Sequence, residues 1–409
     1  MRKRHVIIVG AGASGLVAAI VAAREGADVT LIEQKDRVGK KILSTGNGRC
    51  NLTNTYMDSN CFRGDDTSIV LKVLKQFGYQ DTIRFFEELG VILKERQGYI
   101  YPISDQASTI LDVLRMEIER LQVNVLLEHK VEQIKLTKKG FAVSTNQKVV
   151  NGDAVILATG GKASPVLGSD GSGYGLAKAF GHHISPVVPA LVQLKGKGNY
   201  FKQISGVRTN AKVSLYVDGE FVASDTGELQ LTNYGISGIP VFQVSRYAAK
   251  AVYAKKRVTA EIDYLPTMKE SSLREFMKKR LKFHGDKNVE DFFVGVFHKK
   301  LITMFLKEAK VSLQICANEL KDREWERLFK LFKQFKVEIE DTNEFEQAQV
   351  CAGGILTSEI SAETMESNFD EGLYLTGELL DVDGICGGYN LQWAWSTGYI
   401  AGKCAAKGF

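Results

Sequence analysis

The stretch from His5 to Gln34, HVIIVGAGASGLVAAIVAAREGADVTLIEQ, decides the fold of this chain of 409 residues. Val6 to Val9 is a short, apolar and β-branched run, as expected of a strand that is buried on both faces. Leu16 to Arg24 is rich in alanine and predicts a helix, and Gly26 suits its C-cap. The segment DVTLIE (28–33) predicts a second strand. The order is therefore strand, turn, helix, turn and strand.

Three glycines stand at the end of the first predicted strand with the spacing G-x-G-x-x-G. Gly10 suits a tight turn, Gly12 lets the backbone approach a pyrophosphate, and Gly15 brings the helix close to the strand. Glu33 follows about 20 residues later, where an acid accepts hydrogen bonds from an adenosine ribose. Strand, glycines, helix and acid together predict dinucleotide binding. The acid disfavours a 2′-phosphate, which leaves NAD or FAD.

Length and composition are those of a globular protein with two or three domains. Hydrophobic residues make up 44% and charged residues 25%, and the net charge of +5 does not by itself indicate a nucleic-acid partner. The six cysteines form no C-x-x-C pair, so neither zinc nor a disulfide framework is predicted. The apolar run at Val6 is too short for a signal peptide or a membrane span. We expect a cytoplasmic location.

Two later segments predict further strands that return to the same sheet. GDAVILATGG (152–161) is a buried run that ends in glycines, and GLYLTGELLD (372–381) ends in glycine and acids. After the second segment, a helix is predicted to open at Gly387-Gly388. The two ends of the chain are thus expected to form one domain.

The segment GKKILSTGNGRCNLTN (39–54) resembles the bacterial NAD(P)/FAD-dependent oxidoreductase flavoproteins, which include an aminoacetone oxidase and proposed bile-acid-pathway reductases. The resemblance covers nearly the whole chain, and its longest and most specific block is residues 364–402. Departures are small: the family is expected to have threonine at Cys351, histidine at Asn233 and Gly-Pro at Ile239-Pro240. The other matching segments are GYIYPISDQAS (98–108), VILATGGKASPVLGSDGSGYGLAKAFGH (155–182), PALVQL (189–194) and GELQLTNYGISG (227–238).

The resemblance implies an α/β fold with a Rossmann-type, glutathione-reductase-like FAD-binding domain. Both chain ends form this domain, as residues 1–188 and 346–409. Between them the resemblance implies a β-rich insert domain (189–265), a small helical domain (266–332) and a return strand of the insert (333–345). The pattern VSLYVDGEFV within the insert alternates like a hairpin around Asp218-Gly219.

The resemblance also implies non-covalent FAD as the cofactor. A helix that begins at Gly388 would stabilise the negative charge on the pyrimidine edge of a reduced flavin. Glu378 and Asp381 resemble acids near the ribityl chain and pyrophosphate, and Arg49 and Asn51 offer polar side chains to the ring and phosphates. The predicted cofactor-binding residues are Gly10, Gly12, Ala13, Ser14, Gly15, Glu33, Gln34, Lys35, Lys41, Ile42, Gly46, Gly48, Arg49, Cys50, Asn51, Val131, Ala158, Thr159, Gly160, Gly161, Gly377, Glu378, Asp381, Gly388, Tyr389, Asn390 and Leu391.

We expect an enzyme, an FAD-dependent oxidoreductase that transfers hydride or electrons between a small organic substrate and a second carrier, NAD(P)H or oxygen. The loop GSDGSGYG (168–175) is not G-x-G-x-x-G, so no separate NAD domain is predicted. A nicotinamide donor would bind transiently at the flavin, or the substrate itself would reduce the flavin. The catalytic candidates are Arg49, Tyr101 and Tyr234. Cys50 has no second cysteine a few residues away, which favours a small buried residue over a redox thiol.

Two other classes of function stay open. The segment from Lys269 to Lys336 is basic with apolar residues at helical spacing, which permits an FAD-dependent RNA-modifying enzyme. A solvated basic face is favoured, because the sequence lacks a glycine-rich RNA-recognition signature with clustered aromatics. The second class is a non-catalytic, flavin-bound sensor or scaffold. His182 and His183 have no third ligand nearby in sequence, which favours turn histidines that bond to backbone over a zinc pair.

Overall fold

The computed structural model describes residues 3–408 and divides the chain into two compact units. The first unit contains residues 1–188 and 348–409, and the second contains residues 189–347. Met1, Arg2 and Phe409 belong to the predicted FAD-binding segments but lie outside the described residues. The first unit thus combines two segments that are far apart in sequence, whereas the second is one continuous segment.

The strands and helices are numbered in chain order. The strands are β1 His5–Val9, β2 Asp28–Ile32, β3 Thr53–Asn54, β4 Phe62–Arg63, β5 Leu93–Arg96, β6 Tyr99–Pro102, β7 Asn124–Leu126, β8 Val131–Thr137, β9 Gly140–Thr145, β10 Val149–Gly152, β11 Ala154–Leu157, β12 Val188–Ala190, β13 Leu194–Gly196, β14 Arg208–Val217, β15 Glu220–Leu231, β16 Gly235–Gly238, β17 Val258–Asp263, β18 Phe335–Thr342, β19 Val350–Ala352, β20 Leu373–Leu375 and β21 Asp383–Gly384. The helices are α1 Ala13–Arg24, α2 Ser68–Gln76, α3 Tyr79–Glu88, α4 Ala107–Arg120, α5 Ser172–Lys178, α6 Phe201–Ile204, α7 Ile239–Tyr253, α8 Glu270–His284, α9 Val289–Phe292, α10 Lys299–Glu308, α11 Asp322–Lys333 and α12 Tyr389–Lys407.

A five-stranded parallel sheet forms the centre of the first unit, in the order β20-β11-β1-β2-β7. Strand β11 is buried along its whole length and β1 along all but its first residue, as the continuous apolar runs predict for strands covered on both faces. The chain leaves β1 toward β2 on one side, and β11 and β20 occupy the other side. Ligands in such sheets bind at this switch point, beyond the carboxyl ends of the strands.

Helices α1 and α12 pack against each other through glycines. A Cβ atom at Gly398 would lie 2.3 Å from the carbonyl oxygen of Ser14, and one at Gly402 would lie 2.5 Å from that of Ala18. Because both contacts advance by four residues in the same direction, the two helices run parallel. The start of α12 lies nine residues before Gly398, whereas α1 starts one residue before Ser14, so α12 extends roughly 12 Å beyond the start of α1 at 1.5 Å per residue. Two helix N-termini therefore face the same end of the sheet.

A buried polar network joins α12 to the small antiparallel sheet β3-β6-β5. The Oε1 atom of Gln392 accepts hydrogen bonds from the hydroxyls of Thr53 (2.6 Å) and Thr82 (2.9 Å). The Nε1 atom of Trp395 donates to the carbonyl oxygen of Leu52 at 3.0 Å. These bonds fix the first half of α12 relative to residues 52 and 53, which lie near the end of the segment 39–54.

The second unit is a closed antiparallel barrel, β13-β16-β15-β14-β17-β18, with helices α8 to α11 in the same unit. Strands β14 and β15 form the predicted hairpin, in which Asp218 (φ 52°) and Gly219 (φ 91°) make a two-residue turn with positive φ at both positions. Strand β18 pairs with both β13 and β17 and so closes the barrel. Arg274 on α8 pairs with Glu270 and Glu326, so part of the basic charge of this segment is neutralised within the unit.

We find no helix among residues 3–408 that is long and apolar enough to cross a membrane.

Candidate cofactor site

A cavity with an empty volume of about 1180 Å³ opens in the first unit. Its walls come from the β1–α1 turn, the end of β2, residues 37–45, residues 129–131, the segment after β11 and the start of α12. This volume includes space that is open to solvent, and its walls come from both ends of the chain. The cavity therefore suits an extended ligand at the switch point of the sheet.

The three glycines of the motif have different roles in the β1–α1 turn. Gly10 has φ 100°, and a Cβ atom there would lie 2.5 Å from the carbonyl oxygen of Ala158. A Cβ atom at Gly15 would lie 1.9 Å from the carbonyl oxygen of Gly10, so this residue allows the helix to touch the turn. A Cβ atom at Gly12 would meet nothing within 4 Å and would instead project into open space. Packing therefore excludes a side chain at Gly10 and Gly15, whereas the open space next to Gly12 can hold a ligand.

Helix α1 begins at this turn without a side-chain cap. Its N-cap is Gly12, and the first helical residues Ala13 and Ser14 line the cavity. The free N–H groups of an uncapped helix start bind anions, because the helix dipole adds to their partial positive charge. This end of the cavity can hold a phosphate.

Glu33 directly follows β2, and only 8% of its surface is exposed. One carboxylate oxygen accepts from the backbone N–H of Ala11 and the other from that of Lys35, both at 2.9 Å. Burial raises the pKa of Glu33, and these backbone donors oppose the shift. The side chain of the next residue, Gln34, donates to the carbonyl oxygen of Gly168 at 2.7 Å. Glu33 is thus held as an acceptor on the cavity wall.

An ion pair between Lys41 and Glu378 joins the two segments of the first unit at the cavity, with 2.8 Å between Nζ and Oε2. The Oε1 atom of Glu378 accepts from the backbone N–H of Cys351 at 2.7 Å. The sulfur of Cys351 in turn accepts from the backbone N–H of Lys162 at 3.1 Å. The cysteine thus accepts a hydrogen bond, as would the hydroxyl of the threonine expected at this position.

Helix α12 also begins without a side-chain cap, at Gly388 (φ 93°). The side chain of Asn390 bonds to both backbone groups of Gly384, at 2.8 and 2.9 Å. Asn390 and Leu391 line the cavity. With its amide oriented to satisfy its neighbours, Asn51 accepts from the N–H of Gly388 at 3.3 Å. A second uncapped helix start therefore faces the same cavity as α1.

Cys50 is fully buried with φ 56°, and it does not line the cavity. Burial raises the pKa of its thiol to about 12, and a hydrogen bond with Thr45 opposes the shift. The thiol stays protonated near neutral pH, so it is neither a nucleophile nor a redox thiol there.

The structure places the predicted cofactor residues in two groups. Those that line the cavity are Gly10, Gly12, Ala13, Ser14, Glu33, Gln34, Lys41, Ile42, Val131, Ala158, Thr159, Gly160, Glu378, Asn390 and Leu391. Those that are not among the lining residues are Gly15, Lys35, Gly46, Gly48, Arg49, Cys50, Asn51, Gly161, Gly377, Asp381, Gly388 and Tyr389. Asp381, for example, is buried and accepts from the hydroxyl of Ser185 at 2.9 Å.

Sequence reasoning missed several wall residues. Gly168, Ser169 and Ser172 belong to the loop that was considered only as a second nucleotide site, and they line this cavity instead. His129 and Lys130 follow β7, and the position after a parallel strand was the signal that could have identified them.

The two histidines at 182 and 183 differ from the prediction. Their side chains bond to one carboxylate, that of Glu359, at 3.0 and 2.6 Å, rather than to backbone. The Nε2 atom of His182 also lies 2.9 Å from the hydroxyl of Ser367. A carboxylate 177 and 176 residues away therefore bonds to both histidines, and no group that could hold a metal ion occurs among residues 3–408.

None of the three catalytic candidates is among the residues that line this cavity. Arg49 is exposed and Tyr101 is half-buried, and burial followed by the proximity of Tyr99 raises the pKa of Tyr101. Tyr234 belongs to the second unit, where its hydroxyl accepts from Asn343 at 2.9 Å. Their catalytic roles stay predictions.

The parallel sheet, the two uncapped helix starts and the acid after β2 define a flavoprotein of the Rossmann class. The chain belongs to the HI0933-like protein Rossmann domain family, whose model matches residues 4–404. It is 52% identical over 402 residues to the 3-dehydro-bile acid delta(4,6)-reductase of Clostridium scindens, covering 98% of both chains. It is 28% identical to the ribosomal RNA dihydrouridine synthase of Escherichia coli over 98% of both chains, and 30% identical to that of Haemophilus influenzae over 96% of both.

A solved structure shows the same fold across nearly the whole chain. The 3-ketosteroid-delta4-(5alpha)-dehydrogenase from Rhodococcus jostii RHA1 aligns with a TM-score of 0.50 at 15% identity, covering 99% of this chain and 97% of that one. With the family and the reductase relative, the protein is an FAD-dependent oxidoreductase, and the sensor or scaffold alternative is set aside.

Proposed function

We propose that this oxidoreductase reduces carbon–carbon double bonds conjugated to a ketone in a bile-acid-like steroid, with NAD(P)H as its transient electron source. The observation that carries the proposal is the 52% identity, over 98% of both chains, to a 3-dehydro-bile acid delta(4,6)-reductase. The cytoplasmic location stays a prediction.

The more distant relatives favour the same type of reaction on another substrate. Dihydrouridine is uridine whose ring double bond, conjugated to a carbonyl, is saturated, and two relatives are named for making it in ribosomal RNA. In both cases the double bond accepts hydride at the carbon distal to the carbonyl, because the oxygen takes up the charge. A proton then adds at the carbon next to the carbonyl. The bile acid reductase and the dihydrouridine synthases thus share a class of reaction and differ in their substrate.

The cavity residues fit FAD. Gly12, with open space at its Cβ position, and the N–H groups of Ala13 and Ser14 would hold the pyrophosphate. Glu33 would accept from the adenosine ribose, and the start of α12 at Asn390 would face the pyrimidine edge of the flavin. When bound, FAD supplies hydride transfer at the N5 atom of the flavin.

The contribution of the chain is position and electrostatics. The free N–H groups at the start of α12 stabilise negative charge beside them, and Asn390 and Gln392 keep this helix start in place through their buried bonds. Lys41 and Glu378 form an ion pair on the cavity wall, which fixes the ammonium group in place. Such fixed groups stabilise charge without reorganising during the reaction.

The test is to mix the purified holoprotein anaerobically with NADH or NADPH and a 3-oxo-4,6-diene bile acid. Loss of the dienone absorbance, and a product heavier by two hydrogens for each reduced bond, are expected. Ribosomal RNA fragments analysed for dihydrouridine serve as the competing substrate. Dihydrouridine formation with no change in the steroid would contradict the proposal and favour RNA.

A further inference from the structure

We infer that the solvent-facing side of the sheet β3-β6-β5 binds the carboxylate end of the substrate, which makes this enzyme selective for steroid acids. The inference rests on the proposed function and assigns the substrate class within it. The surface is named here the arginine–tyrosine face and consists of Arg49, Lys94, Arg96, Tyr99 and Tyr101.

Strand pairing places four of these side chains on one face. Lys94 pairs with Tyr101 and Arg96 pairs with Tyr99 across β5 and β6. Residues two apart on a strand point to the same side, so the four side chains form a two-by-two array. The alternate residue on β6, Ile100, is buried on the opposite, core side. The two tyrosines thus form an aromatic surface flanked by cations.

Arg49 extends this array. The backbone N–H of Leu52, three residues further on, donates to the carbonyl oxygen of Ile100 at 2.9 Å, which holds the segment against β6. The pKa of Asp105 is held below its usual range chiefly by a hydrogen bond from Lys94, and Arg49 and Arg96 contribute to the same shift. Both guanidinium groups therefore act on one small region of the face.

Among the described residues, Arg49 and Arg96 form no ion pair, although both lie near the carboxylate of Asp105. Lys94 is paired with Asp105, but no carboxylate within residues 3–408 forms an ion pair with Arg49 or Arg96. A planar guanidinium binds a carboxylate through two parallel hydrogen bonds, and tyrosine rings cover apolar surface while their hydroxyls stay in water. The face is therefore complementary to an apolar ring system that carries a negative charge.

The arginine–tyrosine face adjoins the start of α12. A Cβ atom at Gly387 would lie 3.0 Å from the ring of Tyr99, and the side chain of Asn54 on β3 donates to the carbonyl oxygen of Gly387 at 3.2 Å. Gly388, the N-cap of α12, is the next residue, and Asn390 already lines the cavity. A substrate anchored on the face by its carboxylate end lies within reach of the mouth of the cofactor site.

The test compares a 3-oxo-4,6-diene bile acid with its methyl ester, which has the same rings and no charge. In the wild-type enzyme we expect the acid to have a KM about tenfold lower than the ester, which corresponds to the lower end of the range for one hydrogen bond to a charged group. Arg96→Gln should raise the KM of the acid toward that of the ester, with kcat and the ester's KM unchanged. Arg49→Gln should weaken equilibrium binding of the acid relative to the ester. Tyr99→Leu should raise both KM values together, because the rings are common to both substrates.

Arg115→Gln on α4, which is also an exposed arginine, is the matched control and should change neither KM. Equilibrium binding of acid and ester to the FAD-loaded protein, followed by the flavin absorbance, separates recognition from turnover. If the wild-type protein binds the acid more tightly than the ester and Arg96→Gln loses this preference, the inference is supported. This holds even if no steroid is reduced, because failure of the reduction contradicts only the proposed function. If the KM and the binding affinity of acid and ester are equal and change together in every variant, the inference is wrong. Reduction of both compounds would in that case still support the proposed function. Binding of a uridine-containing oligoribonucleotide that Arg96→Gln weakens, with no acid preference, also overturns it.

Discussion

Gly12→Ala should separate cofactor binding from folding. The backbone at Gly12 has φ −82° and ψ −163°, which alanine adopts without strain, and its Cβ would meet no protein atom within 4 Å. The added methyl group would therefore occupy only the space assigned to the pyrophosphate. Gly15→Ala is the matched control, because its Cβ would lie 1.9 Å from the carbonyl oxygen of Gly10 and must disturb the turn.

The expected magnitudes follow from these contacts. A methyl group at Gly12 would keep the pyrophosphate too far from at least two N–H donors for hydrogen bonding. Each lost bond is charge-assisted and contributes about 1.5 kcal/mol or more to binding. The total of about 3 kcal/mol corresponds to a Kd for FAD that is about 100-fold higher. The free energy of unfolding of the apoprotein should fall by no more than about 1 kcal/mol, the usual cost of alanine at an N-cap. Gly15→Ala should lower it by about 1–3 kcal/mol or more through overpacking.

The assay is FAD titration of the deflavinated protein by calorimetry, together with urea unfolding of the same samples. The expected pattern is a folded Gly12→Ala protein that has lost tight FAD binding, and a destabilised Gly15→Ala protein. Wild-type FAD affinity in Gly12→Ala would refute the assignment of the β1–α1 turn to the pyrophosphate. A loss of stability as large as that of Gly15→Ala would refute the claim that the space at Gly12 is open.

Three further predictions concern the framework of the site. Because burial raises the pKa of Cys50 to about 12 from its ordinary 9.0, this thiol should resist iodoacetamide in the native protein. Its contribution to the free energy of unfolding is complete below about pH 9 and is lost as the pH rises toward 12. Urea unfolding across that range would show the loss, and Cys50→Ser should remove this pH dependence. Gln392→Leu leaves two buried threonine hydroxyls without an acceptor and should lower the free energy of unfolding by about 2–5 kcal/mol, whereas an unchanged urea midpoint would show that the network is dispensable. Lys41→Met removes a half-buried ion pair with Glu378 and should cost about 1 kcal/mol, a difference from wild type that shrinks in high salt; the same difference at every salt concentration would point to lost packing instead.

Local patterns predicted the elements that are built from neighbouring residues. The strands and the helix around Gly10 follow from a buried run, three glycines and an alanine-rich segment, and the structure has β1, α1 and β2 there. The Asp218-Gly219 hairpin follows from the requirement for positive φ at both turn positions, which these residues meet. The start of α12 was also found, because paired glycines mark a change of backbone direction.

Contacts between distant segments were not predictable in the same way. The bond from His182 to Glu359 joins residues 177 apart, and nothing near either residue indicates the other. The contribution of Gly168 to the cavity depends on how the segment after β11 folds back toward β2, and not on its own pattern of glycines. Closure of the barrel by β18 likewise requires pairing with β13, which lies well over one hundred residues earlier. Such features arise from tertiary packing, which a single sequence does not encode locally.

The parallel contact of α1 with α12 has a consequence for biosynthesis. Helix α1 emerges from the ribosome early, yet the glycine-bearing helix that covers it is translated only after the whole barrel has been made. During that interval the nascent chain displays an uncovered side of α1, a surface that chaperones recognise. The part of the cavity wall that α12 supplies is absent until translation has passed that helix, so we expect a product terminated before α12 to retain the vitamin-derived prosthetic group poorly.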